Sequence, residues 1–442
     1  MIKKIDTFFE ISKRGSSIVT EFGAGIATFL AMSYILAANP AILSGTGMDK
    51  SALITVTALA AAFGSLCMAL FANLPVALAP AMGANSYFSF VVCMTMGIDW
   101  RSALALVFYN GIFFLIISVI RIREKIVLSV PHPVRVGLQV GIGMFIAYLG
   151  LQYSKIVVAD KFTISSIGNL VMPECILSLF GLLVVSVLIA RKYKCAVAAS
   201  IAFITIISFF INDSTGKSIA SVPDKLFSLP HSISATFMQL DFSFPFREPL
   251  KALPIIFVLL IMDMFDTIAT LIATGRASGL MNKDGQMPKM SNALSADATA
   301  TIIGALLGTS TTGSYVESTT GIESGGRTGL TSIVVAILFL LSLFCTPMIA
   351  SVPQIAVAPV LIIVGVLMMR AFGDLDFSKI YEVIPAIICM LIVAFSFRIS
   401  LGFSFGVITY VLLVLAVGQK KLVTTPLLMI FVVILGFLYL LF

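Results

Sequence analysis

Long apolar runs with few charges follow one another along almost the whole chain. Only 11% of the 442 residues are charged, and the mean hydropathy is +1.09, whereas about a quarter of residues are charged in soluble domains. In hydrocarbon, a backbone satisfies its polar groups only as helices or as a closed barrel, and runs of about 17 to 25 apolar residues favour helices. The chain is therefore predicted to be an all-α polytopic membrane protein.

The apolar runs form two sets on either side of a polar stretch at 212–252. The first set contains seven candidate spans, at 18–38, 52–72, 76–97, 101–120, 134–152, 171–191 and 195–211. The second contains eight, at 253–274, 296–308, 310–325, 328–346, 355–370, 381–397, 401–417 and 423–442. Several of these candidates are too short or too polar to cross a bilayer alone.

Basic residues cluster in short loops beside the spans, which accounts for the net charge of +7 without nucleic acid as a partner. They precede the first span or follow the fourth, sixth and eighth: Lys3, Lys4, Lys13, Arg14, Arg121, Arg123, Lys125, Arg135, Arg191, Lys192, Lys194, Arg276, Lys283 and Lys289. Cytoplasmic loops carry such an excess of Lys and Arg. We therefore predict a multi-pass protein of the inner, cytoplasmic membrane with its N-terminus in the cytoplasm.

Two short segments match each other in the first span of each set. They are "GIATFLA" at 25–31 and "TIATLIA" at 267–273, with four identities. Four identities alone are weak in so apolar a chain, but their equivalent positions favour a duplication. Since a half with seven spans would insert upside down, the match predicts an inverted repeat.

The third span of each set has the sequence of a broken helix. In "NLPVALAPAMGANSYFSF" at 73–90, Pro80 should interrupt the helix, which leaves an extended stretch up to about Ala81 and a half-helix from Met82. In "GTSTTGSYVESTTGIESGGRTGL" at 308–330, an extended stretch at 309–316 and a helix restarting near Glu317 are expected. Because the N-termini of two such half-helices would point at the middle of the membrane, this polar run is predicted to line a substrate cavity.

Acidic residues inside membrane spans are expensive and hence candidates for function. Asp263 and Asp266 are three residues apart and share a helix face, and Glu317 begins the second half-helix. Asp266 and Glu317 are expected to act on substrate and proton, whereas Asp263 could equally be a supporting partner. Glu323 and Arg327 are better explained by pairing near the cytoplasmic end.

Asn85 follows the break in the third span. Its amide could donate to and accept from the edge of a heterocycle, or it could cap its own half-helix. His132 and His231 are predicted to lie in loops, which makes them poor proton relays and leaves proton transfer to the carboxylates.

No motif of a nucleotide-binding loop, a zinc protease or an activated nucleophile occurs in the chain. The six cysteines fall in or beside apolar runs without paired spacing, so they are expected to be small core residues. We therefore predict neither an enzyme nor a metal site, and no cofactor.

At "FDTIATLI", "PAMGANSYFSF" and "SYVESTTGIESGGRTGLTS" the chain resembles the AzgA-like adenine/guanine/hypoxanthine permeases of the nucleobase-ascorbate transporter superfamily. The resemblance covers nearly the whole length. It implies about 14 segments in a 7+7 inverted repeat with short extended stretches in segments 3 and 10, so that one element between 381 and 417 should not cross. It also implies proton-coupled purine uptake by an elevator-like movement of a core against a gate, with a homodimer left open.

Carried over position by position, the resemblance assigns the family's carboxylates to Asp266 and Glu317 and its asparagine to Asn85. The expected substrate-binding residues are Asn85, Asp266, Glu317, Tyr315, Val316, Gly83, Ala84 and Thr28. The expected proton-coupling residues are Asp266, Glu317 and Asp263. The core domain would comprise residues 1–125 and 253–350, and the gate domain residues 126–252 and 351–442.

Two other functions are kept as alternatives. A carrier of anions or other small solutes with the same fold would need a cationic site, which the two carboxylates argue against. A channel would need polar residues along several spans, whereas here they concentrate in two.

Overall fold

The computed structural model describes residues 2–120, 130–160, 164–191, 193, 195–213, 216–223, 225–281, 287, 289–396 and 399–441. Several cations used for the topology prediction lie outside the described residues, namely Arg121, Arg123, Lys125, Lys192, Lys194 and Lys283.

The described part of the first half is almost entirely helical. Its α-helices are α1 (Ile2–Phe9), α2 (Ile18–Met32), α3 (Ile35–Leu43), α4 (Lys50–Cys67), α5 (Met82–Ser86), α6 (Trp100–Ile120), α7 (His132–Tyr153), α8 (Pro173–Ala190) and α9 (Ala196–Ser208). Wider π-helical turns continue α4 and α5, over Met68–Ala72 and Tyr87–Thr95. The strands are β1 (Leu78–Pro80), β2 (Val157–Asp160) and β3 (Ile164–Ile167), of which the last two form an antiparallel hairpin.

The second half repeats the pattern of long helices around a short strand. It contains α10 (Phe244–Arg247), α11 (Pro249–Ser278), α12 (Met290–Leu307), β4 (Thr312–Ser314), α13 (Ser318–Glu323), α14 (Gly329–Ser342), α15 (Thr346–Ala350), α16 (Gln354–Met369), α17 (Ile380–Ser396), α18 (Ile399–Ala416) and α19 (Thr425–Leu441). Short 3₁₀ segments cover Ser12–Arg14, Ser44–Thr46, Leu343–Cys345, Arg370–Asp374 and Lys420–Leu422.

Eight helical segments of the described chain are long and apolar enough to cross a bilayer. They are Ile18–Thr46, Lys50–Ala72, Trp100–Ile120, His132–Tyr153, Pro173–Ala190, Pro249–Ser278, Gly329–Ala350 and Gln354–Asp374. The prediction of a polytopic helical membrane protein is confirmed. The fourteen-segment inverted repeat stays a prediction.

The two broken spans meet as a two-stranded antiparallel ribbon. β1 pairs with β4 in the register Leu78 to Ser314, Ala79 to Gly313 and Pro80 to Thr312. α5 begins at Met82 directly after β1, and α13 begins at Ser318 directly after Glu317. The predicted break points are therefore confirmed. We call the ribbon of β1 and β4 the crossing, and its antiparallel pairing makes the two half-helices run away from it in opposite directions.

The long helices pack as two sets. In one set α6, α11 and α12 pack together, as do α2, α4 and α14, with both half-helices among them. In the other set α7 packs against α16, α17 and α18, and α8 and α9 pack against α16. Close glycine contacts hold the second set together: a Cβ on Gly365 would lie 2.3 Å from the carbonyl oxygen of Gly143.

Candidate functional site

A cavity of about 500 Å³ lies between the two helix sets. Its walls are one face of α7, the second half of α11, and the start of α5 with Ala81, Gly83 and Ala84. The exposed residues His132, Arg276 and Asp374 line its mouth. A cavity of this size can enclose a small heterocyclic ligand.

Asp266 and Asp263 line this cavity from α11 in different ways. Asp266 is exposed to the cavity, whereas the side chain of Asp263 is buried. Asn110 of α6 donates its amide N–H to Asp263 Oδ2 at 2.6 Å. Asp266 is thus open to the cavity, while Asp263 lies one layer behind it.

Gly83 and Ala84 are the predicted site residues of the first half that reach the cavity. A Cβ added to Gly83 would lie 3.2 Å from Ile142 Cγ2 of α7. A side chain at this position would therefore fill the space between α5 and α7.

Asn85 lies behind that wall and is fully buried. Its Nδ2 donates to Asn39 Oδ1 at 2.6 Å, and its Oδ1 accepts a hydrogen bond from the Ser310 hydroxyl. Asn39 in turn donates to the hydroxyls of Thr57 and Thr309 at 2.8 Å and 3.2 Å. Both ends of the Asn85 amide are thus bonded within the protein, and the amide joins α3 to the extended stretch of the second half.

Glu317 sits between the crossing and α13, and it is half-buried. The Tyr34 hydroxyl, at the junction of α2 and α3, donates to Glu317 Oε1 at 2.8 Å. Val316 beside it is 49% exposed. Neither residue lines the cavity between α7 and α11.

Tyr315 and Thr28 have packing contacts of their own. The Tyr315 hydroxyl donates to the carbonyl oxygen of Pro80 at 2.6 Å, and its N–H donates to the carbonyl oxygen of Ala77 at 3.0 Å. Thr28 is buried against Gly321 of α13. These residues hold the crossing and α13 in place.

No residue of the polar run from 308 to 330 lines this cavity, so its role at a substrate site stays a prediction. Some of its polar groups bond to other parts of the protein. Thr312 Oγ1 donates to the carbonyl oxygen of Ala300 at 2.8 Å, and Thr301 Oγ1 donates to the carbonyl oxygen of Thr312 at 2.9 Å. These bonds satisfy the backbone that the extended stretch leaves outside a helix.

Sequence reasoning missed Asp297, a fully buried carboxylate. It lies on α12, where it accepts hydrogen bonds from Thr267 Oγ1 at 2.8 Å and from Ser314 Oγ at 3.4 Å. It ties α11 to β4. Its position inside the predicted span 296–308 was the available signal.

His132 was placed wrongly, as a loop residue, and Arg135 was counted among the loop cations although the predicted span 134–152 includes it. Both lie in the first turn of α7 and line the cavity, together with Gln139 one turn further on. The predicted span began at 134, where the apolar residues begin. The helix begins at His132, directly after Pro131, so its first turn contains polar residues that hydropathy does not count.

Gly321→Ala is expected to destabilise the protein strongly. The added Cβ would lie 2.1 Å from Thr28 Oγ1 and 2.5 Å from the carbonyl oxygen of Ala24, so α2 would have to move. Overpacking against backbone should cost about 1 to 3 kcal/mol, seen as a lower midpoint of thermal unfolding in detergent. Gly23→Ala is the matched control, since nothing lies within 4 Å of its added Cβ. Equal midpoints for the two variants would contradict the close contact.

The fold and the cavity together define a polytopic membrane transporter, and comparison with known proteins specifies it further. The sequence profile of the Permease family matches residues 20–408. The chain belongs to this family, so it is a permease and not an enzyme.

Three relatives align along nearly the whole chain. A putative permease of Methanocaldococcus jannaschii is 42% identical and covers 95% of both chains. The adenine permease AdeP of Escherichia coli is 37% identical over 94% of this chain and 92% of its own. The guanine/hypoxanthine permease PbuO of Bacillus subtilis is 35% identical over 96% of this chain and 98% of its own. The predicted resemblance is thereby confirmed.

Among solved structures, the chain is similar to the transmembrane domain of a cyanobacterium bicarbonate transporter, BicA. The TM-score is 0.63 at 18% identity, and the match covers 89% of this chain and 96% of that chain. At this identity the likeness concerns the fold alone.

Proposed function

We propose that this permease imports purine nucleobases (adenine, guanine or hypoxanthine) together with protons across the cytoplasmic membrane. The observation that carries the proposal is Asp266, a carboxylate that faces a cavity of about 500 Å³ in the membrane-spanning part of the chain. Relatives at 37% and 35% identity are an adenine permease and a guanine/hypoxanthine permease.

The two helix sets would be the core and the gate. The core comprises residues 1–125 and 253–350 and carries Asp266 and both half-helices; the gate comprises residues 126–252 and 351–442 and carries α7. An elevator movement would slide the core along the gate, which suits a cavity formed between the two sets. The antiparallel pairing of β1 with β4 supports a 7+7 inverted repeat with fourteen segments.

The cavity mouth indicates which side is open. His132, Arg276 and Asp374 are exposed there, and the excess of basic residues in the loops supports a cytoplasmic position for this side and for the N-terminus. The conformation would then be inward-open. Substrate would leave through this mouth after the core has carried it inward.

In this proposal Asp266 carries the proton and accepts an N–H of the base. Asp266 would hold a proton while the cavity is closed and would release it to water when the mouth is open. Asp263 supports it from behind. Glu317 would contact the base, with Tyr315, Val316, Gly83, Ala84 and Thr28 forming or supporting the site, when the core has moved against the gate.

Anion transport is the competing function. The cavity contains cationic side chains as well as acidic ones, with Arg135 and Arg276 among its lining residues, and BicA shares the fold. Competition by purines and by bicarbonate distinguishes purine transport from anion transport.

The test is uptake of radiolabelled hypoxanthine, guanine or adenine by cells that express the protein, with competition by unlabelled adenine, guanine, hypoxanthine, xanthine, uracil and bicarbonate. We expect saturable uptake that purines inhibit and bicarbonate does not. Cells that take up no purine, or uptake inhibited by bicarbonate alone, would contradict the proposal.

Asn85→Ala is expected to reduce purine uptake about tenfold or more while the protein remains inserted. The reason is the loss of two buried hydrogen bonds between α3 and the crossing, each worth roughly 1 kcal/mol, and the unsatisfied groups left behind. Uptake is measured at equal surface expression, with Asn169→Ala in the external hairpin region as a control that should transport normally. Equal uptake by Asn85→Ala would sink the prediction.

A further inference from the structure

We propose that Gln139 of α7 is a specificity-determining residue, whose amide binds the N1/C6 edge of a purine from the wall of the cavity opposite Asp266. This inference rests on the proposed function, because it names a group that would recognise the base at the same site. Gln139 was not among the site residues expected from the sequence.

The Gln139 amide is available to a ligand. The side chain lines the cavity and is half-buried. It makes no hydrogen bond with another residue in the described part of the chain, whereas both ends of the Asn85 amide are bonded within the protein. The few polar groups of a ligand pocket fix the orientation of the ligand, so Gln139 is a candidate for that role.

The depth of Gln139 in the cavity can be read from a contact of α5. The Cβ that Gly83 lacks would lie 3.2 Å from Ile142 Cγ2 and 3.8 Å from Met262 Cε, so α7 and α11 meet at this glycine. Gln139 precedes Ile142 by three residues, and Asp266 follows Met262 by four. Each therefore lies about one helical turn away from the meeting point.

Both of these turns lead towards the mouth of the cavity. His132 begins α7 at the mouth, and Arg276 lies there near the end of α11. Gln139 and Asp266 thus line opposite walls at a similar depth, one from each helix set. A small planar ligand between the two helices would have one polar group on either side.

The three purines agree at one end of the ring system and differ at the other. Each carries an N–H on its imidazole ring, which a carboxylate such as that of Asp266 can accept. At the N1/C6 edge, adenine has an amino donor beside a nitrogen acceptor, whereas hypoxanthine and guanine have a carbonyl acceptor beside an N–H donor. A site that binds both patterns needs a group that presents a donor and an acceptor in either order.

A glutamine amide meets this requirement. Its carbonyl oxygen accepts and its NH2 group donates, and a half-turn about the last side-chain bond exchanges the two positions. Arg135, one turn nearer the mouth, can only donate, and an ionised Asp266 can only accept. Among the polar groups that line the cavity away from its mouth, Gln139 therefore suits both adenine and the oxopurines.

The test combines a change in the protein with a change in the base. The affinities for hypoxanthine, adenine and unsubstituted purine are measured by binding to purified protein in detergent. Unsubstituted purine lacks the 6-oxygen and the N1–H but keeps the imidazole edge. Wild-type protein is expected to bind it about tenfold or more weakly than hypoxanthine, because polar groups of the site are left unpaired.

Gln139→Leu is expected to weaken binding of hypoxanthine and adenine by about tenfold or more and to leave unsubstituted purine within about twofold of wild type. The preference for hypoxanthine over unsubstituted purine should therefore shrink by about fivefold or more. A residue that only supports the fold would instead weaken all three ligands alike. If Gln139→Leu is not folded, Gln139→Met is the second apolar variant.

Gln152→Leu is the matched control for this variant. It removes the same amide from the same helix, but at the exposed end of α7, outside the cavity. Its affinities for all three ligands should be those of wild type.

The possible failures are distinguishable. Wild-type protein that binds none of the three ligands would overturn the proposed function. Wild-type protein that binds unsubstituted purine as tightly as hypoxanthine would overturn the role of Gln139 alone, and so would folded Gln139 variants whose affinities are unchanged or fall equally for all three ligands.

Discussion

Asp266→Asn should abolish accumulation of purine against a gradient and make the remaining transport independent of pH. The amide mimics the protonated carboxyl and cannot release a proton, so the base can still bind and cross down its own gradient. Wild-type uptake is expected to rise as external pH falls from about 8 to about 6 and to collapse with a protonophore. The measurement is steady-state accumulation of labelled hypoxanthine as a function of external pH.

Asp374→Asn is the matched control for this variant. It removes the same charge from the same cavity, but from the exposed mouth, so its accumulation and pH dependence should stay those of wild type. If Asp266→Asn still accumulates substrate with unchanged pH dependence, the proton is carried elsewhere. Asp263, buried one layer behind, would then be the next candidate, followed by Glu323.

Glu317→Gln should weaken purine binding by about tenfold or more. One Glu317 oxygen is used by the Tyr34 hydroxyl, which leaves the other to accept an N–H of the base. A charge-assisted hydrogen bond of that kind is worth roughly 1.5 to 3 kcal/mol. The measurement is binding of labelled base to purified protein in detergent.

Tyr34→Phe separates the two partners of Glu317. It removes the internal hydrogen bond and keeps the carboxylate, so its effect on affinity should be smaller than that of Glu317→Gln. Purified Glu317→Gln with wild-type affinity would remove Glu317 from the site.

The breaks in the third and tenth spans could be predicted to within about a residue, because their signals are local. Pro80 cannot continue a helix, and β1 ends there, with α5 starting at Met82. The Ser- and Thr-rich stretch before Glu317 likewise contains β4 and precedes α13. Local chemistry fixes where a helix stops and restarts.

What fills the space around those breaks could not be predicted, because it depends on segments far apart in the chain. Asn85 has the right residue type for a base edge, yet its amide is bonded to Asn39 and Ser310. Those partners lie 46 and 225 residues away in sequence. The sequence shows a polar residue beside a break but not which polar groups the fold brings to it.

The predicted ends of a span differ from the observed helix ends where the helix carries polar residues that face protein. α12 begins at Met290, although its predicted span began at 296, and it contains Asp297 hydrogen-bonded inside the protein. Hydropathy counts such residues as if they faced lipid. α11 runs from Pro249 to Ser278, whereas its predicted span was 253–274. The helix extends at both ends beyond the apolar stretch from which the span was predicted.

Proton-coupled purine transport is tested most directly with purified protein in liposomes that contain a pH-sensitive dye. With an inward proton gradient, labelled hypoxanthine should accumulate inside above its external concentration, and the interior should acidify faster when hypoxanthine is added. Adenine and guanine are tested in the same way. Absence of uptake for all three bases, or uptake that reaches only the external concentration with no change in internal pH, would contradict the account.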